Sequence, residues 1–151
     1  MPRSLAIVFA GIFALSTGTA GLAEEPSEAL FRPADMADLS EFLWKKRPVL
    51  VFANSPDDPA FVEQLELLRA RESELTERDV VVLTDTDPEA RSALRLKMRP
   101  RGFMLVLVGK DGGIKLRKPF PWDVREISRS IDKMPIRQRE IREGNGRQTG
   151  D

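Results

Sequence analysis

A short polar loop carries the residues of this sequence that are best placed to do chemistry. Ser55, Asp57 and Asp58 lie directly after an apolar segment and directly before Pro59. A hydroxyl and two carboxylates at this spacing can bind a polar ligand or a cation, and backbone N–H groups at a helix start attract anions. The competing explanation is structural, with Asp58 capping a helix and Ser55 closing the turn. We favour helix capping and keep ligand binding as the alternative.

A second loop, with Arg99, Pro100 and Arg101, precedes another apolar segment. Arg101 would reach across toward Asp57, although an exposed ion pair contributes only ~0–1 kcal/mol. The two arginines would otherwise hold an anion between them. The candidate binding residues of this region are therefore Ser55, Asp57, Asp58 and Arg101.

The residue types that are missing exclude several classes of enzyme. The sequence contains no cysteine, no histidine and no tyrosine. Thiol–disulfide exchange, thiolate metal sites and the Ser-His-Asp triad all need one of the first two. We therefore expect no catalytic residue, no metal site and no cofactor. The alternative is a carboxylate- or metal-dependent enzyme centred on the loop of residues 55–59.

The charges are balanced, with 24 lysines and arginines against 24 aspartates and glutamates. A neutral domain has no broad electrostatic attraction for nucleic acid or for an anionic membrane surface. We expect neither as a partner.

The N-terminus has the pattern of a secretory signal peptide. Arg3 supplies a positive charge, residues 5–15 are apolar, and small residues lead to Ala23, which we predict is the cleavage position. Spanning a bilayer needs ~20 apolar residues, so stable membrane insertion is not expected. The mature protein is predicted to be periplasmic or extracellular.

Four segments predict the strands that position these loops: residues 49–53, 80–83, 103–108 and 114–118. The first three are continuously apolar, as in strands buried on both faces. Asp58-Pro59 and Asp87-Pro88 each combine an N-cap residue with proline at the first helical position, so each predicts a helix start.

The order of these elements predicts an α/β protein. Two strands joined through a helix are parallel, and a turn at residues 110–113 adds an antiparallel hairpin. We predict a thioredoxin-like fold, with a mixed four-stranded sheet and helices on both faces. Residues 24–37 would form an N-terminal arm, residues 38–143 the domain, and residues 144–151 a disordered tail. In this fold the redox cysteines follow the first strand, where this chain has residues 55–59.

Three segments resemble one family: residues 49–59, residues 107–117, and residues 131–137 together with Glu140. The family is DUDES, or domain of unknown function 4174, and the resemblance covers residues 39–143. It implies a thioredoxin-like, peroxiredoxin-related fold outside the cell, as in short exported bacterial proteins and in modules of vertebrate secreted matrix proteins. For the vertebrate relatives it also implies roles in adhesion and matrix. The resemblance brings no established reaction and hence no catalytic residue.

These observations favour an exported, non-catalytic domain that binds an unknown protein or an envelope component. A charged segment near the C-terminus is the candidate for docking this partner, through Arg137, Arg139 and Glu140. Pro135 disfavours helix at Met134, so we expect the backbone to bend or restart there before the charged segment begins.

Overall fold

The computed structural model describes residues 29–35 and 37–148. The predicted signal peptide and its cleavage position after Ala23 lie outside the described residues. The strands are β1 Phe31–Pro33, β2 Arg47–Phe52, β3 Val80–Asp85, β4 Met104–Val108 and β5 Ile114–Lys118. The helices are α1 Pro59–Arg69, α2 Glu72–Glu77, α3 Ala93–Met98, α4 Val124–Asp132 and α5 Pro135–Gln148, with a short 3-10 helix at Leu39–Phe42. No helix in the described ranges has the length and apolar character needed to cross a bilayer.

The five strands form one mixed sheet in the order β1-β3-β2-β4-β5. β2 and β3 are parallel, with Val49 opposite Val82, because a helical connection joins them. β4 runs antiparallel to β2 and forms a hairpin with β5. The predicted α/β fold with a mixed sheet is confirmed, but the sheet has five strands rather than four.

The additional strand, β1, lies within the segment that we predicted to be an N-terminal arm. It pairs in parallel with the outer edge of β3, with Phe31 opposite Val82. Thr84 accepts a hydrogen bond from the N–H of Ala34 at 2.9 Å, and Leu30 accepts one from Val82 at 2.7 Å. The sequence pattern missed this strand because three residues ending in a proline give no alternation to detect.

Both faces of the sheet are covered by helices, as predicted. All six residues of β2 are buried, so successive side chains supply opposite faces of the sheet. Helices α1, α2 and α4 pack on one face through Phe61, Leu68, Leu75, Val124, Ile127 and Ile131. Helix α3 and the 3-10 helix cover the other face through Leu94, Met98 and Phe42.

Helix α3 starts later than the sequence predicts. Its N-cap is Ser92, whose hydroxyl accepts a hydrogen bond from the N–H of Arg95 at 3.1 Å. Asp87 accepts from the N–H groups of Glu89 and Ala90, so it closes a turn instead of capping a helix. The prediction that Asp87 and Pro88 begin the helix is therefore wrong.

The C-terminal region restarts at a proline, as predicted. α4 ends at Asp132 and α5 begins at Pro135, with Ile131 fully buried and Met134 partly buried against the same core. Helix α5 then continues to Gln148, so residues 144–148 of the predicted disordered tail are helical. No proline follows Pro135 to end the helix earlier.

Candidate functional site

Two polar side chains of the loop of residues 55–59 accept hydrogen bonds from nearby backbone N–H groups. The Asp58 carboxylate accepts hydrogen bonds from the N–H groups of Ala60 at 2.9 Å and Phe61 at 3.4 Å, at the start of α1. The Ser55 hydroxyl oxygen accepts from the N–H of Asp57 at 3.1 Å. The capping role predicted for Asp58 and the turn-closing role predicted for Ser55 are confirmed.

Arg101 precedes β4 at the same end of the strands as Asp57, and both side chains are exposed. No salt bridge joins the two side chains in the described part of the chain, unlike the pairing we considered. Residues 29–35 and 37–148 also contain no group of three His, Cys, Asp or Glu side chains that would hold a metal ion. Ligand binding by Ser55, Asp57, Asp58 and Arg101 remains a prediction.

A buried ion pair that the sequence analysis missed lies behind the loop. The Nη2 atom of Arg95 donates to Oδ1 of Asp85 at 2.7 Å and to the carbonyl oxygen of Ala53 at 2.8 Å. The Ser92 hydroxyl donates to Oδ2 of Asp85 at 2.6 Å. The Arg95 guanidinium also lies 5.5 Å from the centre of the Phe52 ring. These contacts tie the carboxyl ends of β2 and β3 to α3.

The electrostatics of this pair keep Asp85 ionised. Burial raises the pKa of Asp85, but the hydrogen bonds from Arg95 and Ser92 outweigh burial and hold the pKa below its usual value. A carboxylate in this state is a poor proton acceptor near neutral pH. The contacts of Asp85, Ser92 and Arg95 fix the carboxyl ends of β2 and β3 next to residues 55–59. Asp85 is not suited to act as a general base.

At the opposite end of the central strands, four charged side chains meet: Arg47, Asp79, Lys110 and Glu140. We call them the basal charge cluster. The Lys110 ammonium donates to Asp79 and to Glu140, each at 2.7 Å. Arg47, which has no exposed surface, donates through Nη2 to both carboxylate oxygens of Glu140 at 3.1 and 3.2 Å. Burial raises the pKa of Glu140, but hydrogen bonds from Lys110 and Arg47 lower it further than burial raises it.

The ion pairs of this edge continue along the start of α5. Arg137 contacts Asp132 at 3.4 Å, Glu77 at 3.3 Å and Glu140 at 3.6 Å. Arg78 donates to the same Asp132 at 2.8 and 3.0 Å. Arg137 and Glu140, two of the candidate docking residues, therefore pair with each other within a network that connects α5 to the rest of the domain.

This network changes the interpretation of the predicted docking segment. Arg137 is only 9% exposed and Glu140 is half-buried, so these two candidate docking residues are largely enclosed by the domain. Arg139 is exposed. Docking by Arg137, Arg139 and Glu140 remains a prediction. Two of these three side chains, Arg137 and Glu140, already form ion pairs within the chain.

Comparison with known proteins identifies the family. A family model described as "Domain of unknown function (DUF4174)" matches residues 38–140. The chain belongs to this family. A longer relative is Coiled-coil domain-containing protein 80 of Danio rerio, which is 29% identical over 133 residues. That match covers 68% of this chain and 15% of the relative, so this chain spans only a small part of the relative's length.

Solved structures show which fold the DUF4174 domain shares. It is similar to the reduced 2-Cys peroxiredoxin of Plasmodium vivax, with a TM-score of 0.53 and 16% identity over 69% of this chain and 85% of the other. It is also similar to reduced desulfothioredoxin from Desulfovibrio vulgaris Hildenborough, with a TM-score of 0.51 and 17% identity over 70% of this chain and 98% of the other. The predicted thioredoxin-like fold is confirmed.

Proposed function

We propose that this DUF4174 domain is an exported, non-catalytic module that binds a protein or an envelope component. One observation carries the proposal. At the point where a thioredoxin-like fold places its redox cysteines, the chain has Ser55 and Asp58, whose side chains accept hydrogen bonds from their own loop and helix. Without cysteine the domain has no group for thiol–disulfide exchange.

Two further observations support the modular and the exported parts of the proposal. The matched segment makes up 15% of the Danio rerio relative, an arrangement that suits a module within a longer chain. The export part of the proposal depends on the signal-peptide pattern of residues 1–23, with cleavage after Ala23.

The proposal predicts a specific partner in the compartment to which the protein is exported. Tagged protein is incubated with the envelope fraction of the organism that encodes it, crosslinked, and retained components are identified by mass spectrometry. We expect one component that is retained in proportion to the bait and displaced by untagged domain. A heat-unfolded sample of the same protein is the control.

A double variant tests the loop within the same experiment. Asp57→Ala with Arg101→Ala removes two exposed side chains that make no salt bridge to each other, so the fold should be preserved. Loss of capture by this variant would place the binding surface at residues 55–59 and 101. If nothing is retained above the unfolded control, the domain is not a binding module for this compartment.

A further inference from the structure

We propose that a basic groove between β5 and α4 binds an extended acidic peptide segment of a partner protein. The groove is lined mainly by Lys115, Leu116, Lys118, Trp122, Lys133 and Met134. This inference rests on the proposed binding function and names the chemistry of the partner that the function requires.

The shape and position of the groove suit an extended chain. Its volume is about 490 Å³, and it lies beside β5, which is the last strand of the sheet. β5 pairs with β4 along one side only, and no other strand in the described residues pairs with its outer side. An unpaired strand edge is a template on which an extended peptide can add its own backbone hydrogen bonds.

The charge of the groove points to an acidic occupant. Its lining residues include three lysines, Lys115, Lys118 and Lys133, and no carboxylate. Lys115 has a neighbouring partner, Asp111, at 2.9 Å, but neither Lys118 nor Lys133 forms a salt bridge within residues 29–35 and 37–148. The whole chain carries equal numbers of acidic and basic residues, so this excess of positive charge is local.

An aromatic side chain at a fixed position adds apolar contact to the charge. Gln64 is fully buried, and its side-chain amide holds the backbone of Trp122 at both polar atoms. It accepts from the Trp122 N–H at 2.7 Å and donates to the Trp122 carbonyl at 3.0 Å. The Lys118 ammonium lies 4.7 Å from the centre of the Trp122 ring. A preorganised ring with lysines around it suits alternating apolar and acidic side chains.

A second copy of the same chain fits the groove less well than an acidic peptide. Antiparallel pairing of two β5 edges would place the lysines and arginine of one copy, at positions 115, 117 and 118, against those of the other. Like charges on facing strands destabilise the pairing. The occupant therefore has the opposite charge to β5.

The inference can be tested with the fluorescence of Trp122 in a Trp44→Phe background. Trp44 is the other of the two tryptophans in the sequence and is 67% exposed, so its replacement should not disturb the core. The probe is a blocked peptide that alternates glutamate with valine, and the control peptide alternates lysine with valine. We expect a saturable change with the acidic peptide, weakened by added salt, and none with the basic peptide.

A matched pair of variants distinguishes the effect of the lysines in the groove from the effect of the protein's total charge. Lys118→Gln with Lys133→Gln should weaken binding of the acidic peptide by about fivefold or more, because two ion pairs are lost. Lys45→Gln with Lys97→Gln removes the same charge from exposed positions outside the groove and should leave affinity unchanged. Equal weakening in both variants, or no saturable binding of the acidic peptide, would overturn the inference.

Two further measurements distinguish other occupants and the underlying function. Binding to phosphatidylglycerol vesicles without binding to the peptide would assign the groove to lipid, and a concentration-dependent dimer that loses the peptide signal would assign it to a second copy. Either result contradicts the inference. If the wild type and the Lys118→Gln, Lys133→Gln variant capture the envelope partner equally, the groove is not the binding site, and the proposed function stands.

Discussion

Arg47 and Glu140 are separated by 93 positions in the sequence, yet both carboxylate oxygens of Glu140 accept hydrogen bonds from the Nη2 atom of Arg47. Arg47 opens the central strand β2 and has no exposed surface, while Glu140 lies on helix α5. A buried guanidinium is stable only with its counter-ion in place. The contact therefore makes α5 part of the folded domain.

We predict that Glu140→Gln lowers the free energy of unfolding by about 1–3 kcal/mol at neutral pH, because charged hydrogen bonds to Arg47 and Lys110 are lost. The matched control is Glu143→Gln on the same helix, where the side chain is exposed. Urea denaturation midpoints measure both changes. A loss as small as that of the control would show that Glu140 contributes no more than a surface charge.

Acid should remove the contribution of Glu140. Its folded-state pKa lies below the ordinary value of 4.5, so its stabilisation is complete above that value and is lost as pH falls through the folded-state pKa. The stability difference between wild type and Glu140→Gln should be constant near neutral pH and shrink under acidic conditions. Denaturation curves across this range provide the measurement. A difference that grows on acidification has the wrong sign for this mechanism.

Truncation after Pro135 should destabilise the domain. The shortened chain would lose both Glu140 and the Arg137 contacts with Asp132 and Glu77. We expect a clearly lower melting temperature in a calorimetric scan. Truncation after Glu143 retains these residues and is the control. Equal melting temperatures for the two would mean that α5 is dispensable for stability.

Replacement of the helix-cap residue Asp58 should lower stability more than replacement of the neighbouring Asp57. Asp58→Ala removes the acceptor of the Ala60 and Phe61 N–H groups and should cost ~0.5–2 kcal/mol. Asp57→Ala, one residue earlier and exposed, should change stability by less than about 0.5 kcal/mol. Chemical denaturation compares the two. If Asp58→Ala keeps full stability but loses partner capture, Asp58 is a binding residue instead of a cap.

Export predicts a processed N-terminus. Protein recovered from outside the cytoplasm should begin at Glu24, because small residues precede Ala23 after the apolar segment. N-terminal sequencing of the exported protein measures this directly. The Ala23→Arg variant should accumulate as the unprocessed form, because the cleavage position requires a small residue. Exported protein that still begins with Met1 would contradict the prediction.

The strands and the cap were predictable because each depends on neighbouring residues. Three apolar segments determined β2, β3 and β4, and Asp58 with Pro59 determined the start of α1. Local patterns failed where two signals competed. Asp87 and Ser92 both precede helical residues, and Ser92 is the N-cap because its hydroxyl binds the N–H of Arg95 and the carboxylate of Asp85.

The charged contacts could not be predicted because they join residues that are distant in sequence. Arg95 and Asp85 meet only after β3 and α3 have folded back on one another, and Arg47 meets Glu140 only after the whole sheet has formed. One indication of the buried charge was present in the sequence: Arg47 lies two positions before the continuously apolar segment 49–53, where a charge would be buried and would need a partner. The sequence did not show which of its 24 acidic residues is the partner of Arg47.

The parallel pairing of β1 with β3 has a consequence for the order in which the protein matures. Phe31 has no strand partner until Val82 is available, because β1 pairs with β3 and not with the nearer β2. On the proposed export route, β1 (Phe31–Pro33) therefore gains its strand partner only after the chain as far as β3 has emerged from the membrane. Under that proposal, signal removal has time to occur before the pairing of β1 with β3 completes the sheet.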